Sequence, residues 1–307
     1  MESLKNKIDF AAIVSVKNAN PNGDPLNGNR PRINYDGTGE LSDVCIKRKI
    51  RNRLMEVKDG EKYKYNIFVQ PDDNRLDDCR SLHQRAEKEI GDAIKNAPKL
   101  LKEKTLRDEA CKKWIDVRAF GQVFAFKGEG KKGKKKKEGD EETDDKGVSV
   151  GIRGPVSIHS AFSVRPVNVT SIQITKSVSG EGDGSKRGSD TMGMKHRVDH
   201  GLYVFYGSMN PQLATKTGFS DADAQAIKQS LLHLFENDAS SARPEGSMEV
   251  VKLVWWQHNC PNGQYPSAKV HRTLKVMPII QEPKSASEYD IKTDDLERLK
   301  PEVLEGY

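Results

Sequence analysis

The chain has 307 residues, of which 31% are charged and 35% hydrophobic, and it carries a formal net charge of +6. This length allows one large domain or two small ones with a sizeable core. No apolar run is long enough to span a membrane, and the N-terminus lacks a signal-peptide core, so we expect a cytoplasmic protein without a membrane partner. The cysteines are widely separated and form no CxxC pair, which argues against a zinc ribbon or a disulfide scaffold: Cys45, Cys79, Cys111 and Cys260.

The chain begins with a predicted buried strand, a long loop and a helix. Residues 8–17 are almost all apolar, which is typical of a buried strand. The glycine- and asparagine-rich loop over 18–39, NANPNGDPLNGNRPRINYDGTG, separates this strand from a helix that Ser42 would cap and that would run to about Val57. The apolar residues of the helix fall on one face at helical spacing: Ile46, Ile50, Leu54 and Val57.

The remaining surface of this helix is basic. We expect no acidic residue at helical spacing to neutralise its cations, which are Lys47, Arg48, Lys49, Arg51 and Arg53. Concentrated like charges favour an external polyanion, so we predict that the helix binds phosphates. The loop before it would add backbone and amide donors, because glycines such as Gly23 and Gly28 permit close approach, and Arg30 and Arg32 would add charge.

The middle of the chain is predicted to hold an inserted helical lobe and a charged loop. Residues 75–116 have a helical pattern interrupted by Pro98, and residues 117–126 would return as a strand. Residues 127–147 run from basic to acidic in low-complexity sequence, so we expect a disordered loop there and assign it no function. The segment after it places glycines around Arg153.

The second half is predicted to hold a hairpin, a helix and two final strands. VTSIQITKSV and HGLYVFYG are strand-like and enclose a polar, glycine-rich tip, which indicates a long projecting hairpin. Ser220 would cap an amphipathic helix, residues 248–258 and 270–280 would be the last strands, and a short helix would follow around DDLERLK. Without its insertions, this order is compatible with an α+β fold built on a ferredoxin-like, RNA-recognition-type sheet.

Three further features have competing interpretations. His196 and His200 have the i, i+4 spacing of a helical metal site, but their strand-like context without a carboxylate favours surface histidines and no metal. Asp24 could assist phosphodiester chemistry, although a loop aspartate is more typical of a turn. Trp255 and Trp256 would face opposite sides of a strand, one in the core and the other toward a groove.

Nine stretches occur together and in order, from NPNGDPLNGNRPR, LSDVCIKRKIRNRL, DVRAFGQVFA and GPVSIHSAFSV through TMGMKH, GLYVFYG and KTGFSDAD to SARPEGSME and LVWWQHNCPNGQYPSAKV. They resemble the backbone subunit of the type I-C CRISPR interference complex, Cascade, a member of the RAMP superfamily. The resemblance extends from about residue 8 to residue 281. The ordered set is far more specific than any one of its motifs.

The resemblance implies one RAMP-type domain over residues 1–307, with an RNA-recognition-like palm, helical fingers over about 70–116 and a thumb hairpin over about 170–206. Copies of such a subunit would line up head to tail along the CRISPR RNA. The expected RNA-binding residues are Asn20, Asn22, Arg30, Lys47, Arg48, Lys49, Arg51 and Arg153. The residues expected on the thumb, which would kink the guide, are Met192, Met194, Lys195 and Arg197.

The implied function is non-catalytic, needs no cofactor, and presents a guide whose base pairing supplies the specificity in antiviral defence. The implied partners are the CRISPR RNA, the target DNA strand, further copies of the chain, a RAMP-type cap subunit, and the large and small Cascade subunits. Two other functions are open. A metal-dependent ribonuclease acting through Asp24 and His196 would cut RNA at fixed intervals with Mg²⁺, whereas a general RNA chaperone would bind RNA without an ordered filament.

Overall fold

The computed structural model describes residues 2–125, 149–176 and 192–307, so the predicted disordered loop and most of the predicted hairpin tip lie outside the described residues. The last part of that predicted tip, from Met192, is strand instead. The helices are α1 Asp43–Glu56, α2 Leu82–Asn96, α3 Lys102–Lys113, α4 Ile115–Phe120, α5 Pro211–Thr217, α6 Asp221–Leu232 and α7 Ser267–His271. None of the helices in these ranges is long and apolar enough to cross a membrane.

The strands form one large antiparallel sheet and several two-stranded pairs. They are β1 Ile8–Ala19, β2 Gly23–Asp24, β3 Arg30–Pro31, β4 Thr38–Leu41, β5 Lys58–Asp59, β6 Lys62–Tyr63, β7 Gly121–Ala125, β8 Ser149–Arg153, β9 Val156–Ile158, β10 Ala161–Pro166, β11 Val169–Thr175, β12 Met192–Met209, β13 Met248–Gln257, β14 Leu274–Pro278, β15 Tyr289–Thr293 and β16 Glu302–Glu305.

The described residues divide into two compact units. One comprises residues 2–5, 54–125, 149–157 and 209–225, and the other comprises residues 6–53, 158–176, 192–208 and 226–307. The second unit holds most of the large sheet, whose strands follow the order β16-β13-β1-β12-β10-β4, with β11 also paired to β12. The mixed α/β character and the strand at residues 8–17 are as predicted.

Both faces of the central strands are covered, which corrects the prediction for the tryptophan pair. Trp255 stacks on Phe10 with ring centroids 5.6 Å apart, and the Lys228 ammonium lies 5.3 Å from the Trp255 ring. Trp256, on the opposite face, packs in a cluster that includes Val254 and Val270. Because both indoles are buried, neither lines an open groove.

A buried carboxylate joins β1 to the segment after β13. Asp9 is fully buried and lies 2.9 Å from His258 Nε2, 3.2 Å from Lys7 Nζ and 3.7 Å from His271 Nε2. These groups hold the pKa of Asp9 below its usual value although burial raises it. His271 also stacks on Tyr206 with centroids 4.9 Å apart. The cluster therefore ties distant parts of the chain together with buried charge.

The helix α1 begins where the sequence predicts. Ser42 Oγ accepts the Cys45 N–H at 3.3 Å, and this bond caps the first turn. Ile46, Ile50 and Leu54 are each no more than 1% exposed. Burying an aliphatic side chain of this size contributes roughly 1.5–3 kcal/mol, so this stripe holds the helix in place.

The other unit has its own core under α2, α3 and α4. Phe68 packs on Trp114 and on Phe124, with ring centroids 4.6 and 5.1 Å apart. The buried Asp116 carboxylate accepts the Phe68 and Val69 N–H groups at 2.7 and 3.1 Å. Two helices occupy most of the segment predicted to be helical, beginning at the Ser81 cap. That these helices are fingers stays a prediction.

Three element predictions are wrong. The predicted strand over 270–280 begins only at Leu274, because α7 extends to His271. The predicted strand over 117–126 begins only at Gly121, because α4 extends to Phe120; Gly121 has φ 81°, and a Cβ there would lie 2.3 Å from the Ile152 carbonyl oxygen. The segment DDLERLK forms no helix, since Arg298 has φ 61° and Leu296 bridges to Leu299. Two further strands, β15 and β16, follow the predicted last strand.

Candidate nucleic-acid interface

The glycine-rich loop is a folded structure with its own hydrogen bonds. Gly28 and Asn29 both have φ 58°, which turns the chain so that Asn29 N–H reaches the Asp24 carbonyl at 2.8 Å. Asp24 Oδ1 accepts from Leu26 N–H at 3.2 Å and lies 3.4 Å from Arg32 Nη2. Asp24 is therefore a turn residue here, as a loop aspartate usually is.

Two asparagines predicted to face RNA instead hold this loop together. Asn20 is 3% exposed, and its Nδ2 donates to the Asn29 carbonyl at 2.7 Å. Asn22 Oδ1 accepts from both N–H and Oγ–H of Ser42, each at 2.9 Å, and so links the loop to the cap of α1. We therefore revise their role: Asn20 and Asn22 position the loop, and a direct phosphate contact is not available to their bonded groups.

The cations of α1 have acidic neighbours, contrary to the expectation from the sequence. Lys47 pairs with Asp43 at 2.9 Å at i, i+4 spacing, and Arg53 pairs with Glu236 at 2.8 Å. Lys49 is 4% exposed and forms an ion pair with Asp238. Burial lowers the pKa of the Lys49 ammonium, and Asp238 opposes that effect. Lys49 thus belongs to the interior of the fold, and we withdraw it as a phosphate ligand.

Other basic side chains face outward. Arg48 is exposed on α1, and Arg51 is half-buried. Arg153 is exposed at the end of β8, in the other unit. With Lys47, Arg48 and Arg51, the helix still offers a short cationic surface, smaller than the sequence predicts.

The hairpin of β11 and β12 divides the predicted thumb residues between its two faces. Cross-strand partners share a face, and the pairs Gln173–Met194 and Thr175–Met192 therefore put both methionines on one side. Lys195, paired with Ile172, lies on the other side, as does Arg197. Met192 is 67% exposed and Met194 54%. The methionine face is thus accessible in the described part of the hairpin.

One arginine connects the loop to this face. Arg30 Nη1 donates to Ser171 Oγ at 3.2 Å, and Ser171 Oγ lies 2.8 Å from His196 Nδ1. Ser171 pairs with His196 across the strands, two positions from the Gln173–Met194 pair on the same face. We call Arg30, Ser171, His196, Met192 and Met194 the hairpin patch. It combines a cation, hydrogen-bonding groups and exposed thioethers on one surface.

The sequence did not single out Ser171, a member of the hairpin patch. Ser171 has no motif around it, and only its pairing with His196 places it beside Arg30. The opposite face holds Ile172 and Ile174, which are 40% and 49% exposed. Their alternation with polar residues could have predicted an apolar hairpin face. Within the described ranges, no group of three or more His, Cys, Asp or Glu side chains is arranged to hold a metal ion.

Comparison with known proteins identifies the family. The family described as "CRISPR-associated protein Cas7" matches residues 6–294. The chain belongs to the Cas7 family. A relative from Haloferax volcanii (strain DS2), also named "CRISPR-associated protein Cas7", is 25% identical over 240 residues, which are 77% of this chain and 66% of the relative. This Cas7-family chain therefore matches slightly less than two thirds of that relative's length.

Two chains of solved CRISPR complexes also match this chain. One chain, of a "CRISPR RNA-guided surveillance complex, pre-nicking", is 16% identical with a TM-score of 0.44, and the match covers 81% of this chain and 78% of that one. A second, of a "CRISPR RNA-guided surveillance complex", is 16% identical with a TM-score of 0.39 and coverage of 81% and 68%.

Proposed function

We propose that this chain is the non-catalytic backbone subunit of a type I-C Cascade complex. It binds CRISPR RNA, assembles head to tail along the guide, and presents it for pairing with the target DNA strand in antiviral defence. Membership of the Cas7 family supports this function. Within the molecule, the hairpin patch carries the proposal, because Arg30 joins the ordered loop to exposed Met192 and Met194 on one surface.

The proposed palm is the sheet of the second unit. Its strands β13-β1-β12-β10, with α1 after β1 and α6 after β12, follow the order of a ferredoxin-like, RNA-recognition-type sheet. The helices α2 to α4 would be the fingers, and β11 with the first part of β12 would be the thumb. The capped, well-packed α1 then gives the RNA-facing side chains a rigid base.

The chemistry of this surface suits a guide of any sequence. Lys47, Arg48 and Arg51 attract phosphates, which are identical in every nucleotide. A methionine packs beside an unstacked base without selecting one, because its thioether is flexible and polarizable. Specificity would then come from base pairing alone.

The proposed partners follow from this arrangement. Copies of the chain would contact one another head to tail, and such a contact extends into a helix unless its rotation closes a ring. A RAMP-type cap subunit would end the array, the large and small subunits would bind along it, and the target strand would pair with the guide. The complex would work in the cytoplasm.

Co-purification tests the proposal. The chain is expressed with its CRISPR array and the candidate partner subunits, and the nucleic acid that purifies with it is sequenced. We expect one discrete guide-length RNA carrying spacer sequence. Heterogeneous cellular RNA would instead indicate a general RNA chaperone, and the absence of RNA would contradict both functions.

The ribonuclease alternative is tested at Asp24. Asp24→Ala removes a cap of the turn and the partner of Arg32, so we expect about 1 kcal/mol of lost stability and unchanged guide-directed interference. Asp24→Asn, which retains an oxygen acceptor, should recover part of the stability. Cleavage of bound RNA at fixed intervals with Mg²⁺, abolished by both substitutions, would establish the alternative.

A further inference from the structure

A polar cavity of about 490 Å³ lies beside the base of the hairpin, within the second unit. Its wall is formed by the end of β1, the connection between β10 and β11, the middle of β12 and the segment leading into β15. Its lining includes the side chains of Lys17, Arg165, Asn168, His200, Lys284 and Tyr289. One liquid water takes about 30 Å³, so the space is far larger than a few waters or one phosphate needs.

The cavity is lined by three exposed cations. Lys17, Arg165 and Lys284 form no ion pair with any carboxylate in the described ranges. Two carboxylates also line the space, Asp199 and Glu282. Asp199 accepts from Thr170 Oγ1 at 2.7 Å and lies 3.9 Å from Arg197 Nε. The lining therefore holds three cations against two carboxylates, and this positive excess favours an anionic ligand.

His200 provides a second, independent sign of a ligand. Both of its ring nitrogens are buried, and neither makes a hydrogen bond of good geometry to a residue that the structure describes. Burial lowers the pKa of His200 and the charge of Lys17 acts in the same direction, while the Val16 backbone and the charge of Glu288 oppose that effect. A neutral imidazole has one donor and one acceptor nitrogen, so it suits a hydroxyl or a base edge. Such a group would satisfy nitrogens whose burial is otherwise costly.

The cavity also offers a surface for a ring. Tyr289 lies with its ring centroid 6.1 Å from that of His200, at 50°, and Pro166 and Pro283 add apolar wall. Arg165 is near enough to Tyr289 to counter the rise that burial causes in the pKa of the phenol. Cations, a partly buried imidazole and apolar walls thus line one cavity, a combination that suits a nucleotide.

We propose that this cavity binds one nucleotide unit of single-stranded RNA, with Lys17, Arg165 and Lys284 around the phosphate and His200 on the ribose or base. The inference rests on the proposed guide binding and adds a site to it. RNA is favoured over an acidic peptide because the cavity adjoins the hairpin patch along β12, where His200 follows His196 by four residues. The same chemistry would also fit a free nucleoside monophosphate.

The first arm of the test measures the affinity of the full chain for a labelled guide-length RNA. Arg165→Glu with Lys284→Glu should weaken binding at least about tenfold and lower the slope of log affinity against log salt by about two, one for each lost phosphate contact. Lys216→Glu with Lys292→Glu is the charge-matched control at exposed positions outside the cavity, and we expect it to stay within about twofold of wild type.

The second arm titrates uridine monophosphate and follows the imidazole resonances of His200 by NMR. We expect them to shift in wild type and not in the Arg165→Glu, Lys284→Glu variant. If both double variants bind RNA like wild type, the cavity proposal is overturned and guide binding stands. If wild type binds no RNA, the proposed function itself fails. A shift with uridine monophosphate but no loss of RNA affinity would overturn the RNA site in favour of a free nucleotide, and a shift only with an oligoglutamate peptide would overturn both.

Discussion

The helix α1 and the hairpin of β11 and β12 arrange their charged and apolar side chains in opposite ways. On α1, the lysine at position 49 is buried against Asp238, and the apolar stripe is closed from water. On the hairpin, Met192 and Met194 stand in solvent. The helix places charge inside and the hairpin places apolar surface outside, although both were expected to bind the same ligand.

The difference suggests that the two regions would contribute differently to the proposed RNA binding, one through stability and the other through recognition. A buried ion pair is costly to form and more costly to break on one side, so Lys49 contributes chiefly to the integrity of the fold. An exposed methionine adds little to stability, so Met192 and Met194 are accessible to a partner without being needed for the fold. Substitutions in the two regions should therefore separate the two properties.

The largest expected effect is at the buried Lys49 of α1. Lys49→Ala leaves Asp238 without one of its two cations, the other being Arg243 at 3.0 Å, and should lower the free energy of unfolding by about 3 kcal/mol. Arg48→Ala, on the exposed side, should change it by less than about 0.5 kcal/mol and weaken RNA binding instead. Urea unfolding gives the free energy of unfolding of each variant, and RNA titration gives its affinity. Equal unfolding midpoints for the two variants would contradict the separate roles of Lys49 and Arg48.

A second prediction concerns the pH dependence of stability at another buried group, His271. Burial lowers the pKa of His271 below its ordinary value of about 6.5, against the opposing charge of Asp9; His159 and Lys7 act in the same direction as burial, and the ring stacks on Tyr206. The unfolded chain therefore takes up this proton first, and stability is lost as pH falls below about 6.5, by up to about 1.4 kcal/mol per unit.

His271→Gln removes this titration and should flatten the pH dependence of stability between about pH 6.5 and 5. The unfolding free energy is measured across that range for both proteins. An identical slope in the variant would show that other groups carry the acid sensitivity.

The smallest expected effect on stability is at the exposed methionines of the hairpin. Met192→Ala with Met194→Ala should leave the free energy of unfolding within about 0.5 kcal/mol of wild type. The variant should bind guide RNA more weakly by about 1 kcal/mol, or roughly fivefold, because both thioethers lose their contact with bases. Lys195→Ala, on the other hairpin face, is the comparison, and a larger loss there would reverse the assignment of the two faces.

Local patterns in the sequence predicted the local structure well. Ser42 and Ser220 cap helices where expected, and Ser220 Oγ accepts the Asp223 N–H at 3.2 Å. The Lys47–Asp43 pair was missed, although its i, i+4 spacing could have predicted it. These features depend on residues within one or two turns of each other.

Features that depend on distant contacts were not predictable. Lys49 and Asp238 are 189 positions apart, and Arg30 and Ser171 are 141 apart. No periodicity within α1 could reveal that one of its five cations is buried by a loop from the far end of the chain. The family resemblance likewise predicted segments that would face RNA, but not that Asn20 and Asn22 form hydrogen bonds within the loop and to Ser42.

The hydrogen bonds of those two asparagines also affect how fast and how tightly a ligand is held. Fixing the backbone of a free loop on binding costs about 1–2 kcal/mol of conformational entropy per residue. Because Asn20 and Asn22 already hold the loop to Asn29 and Ser42, that ordering occurs when the chain folds. Association should then proceed without a slow loop-closing step, and differences in affinity between guides or variants should be found mainly in how long the complex lasts.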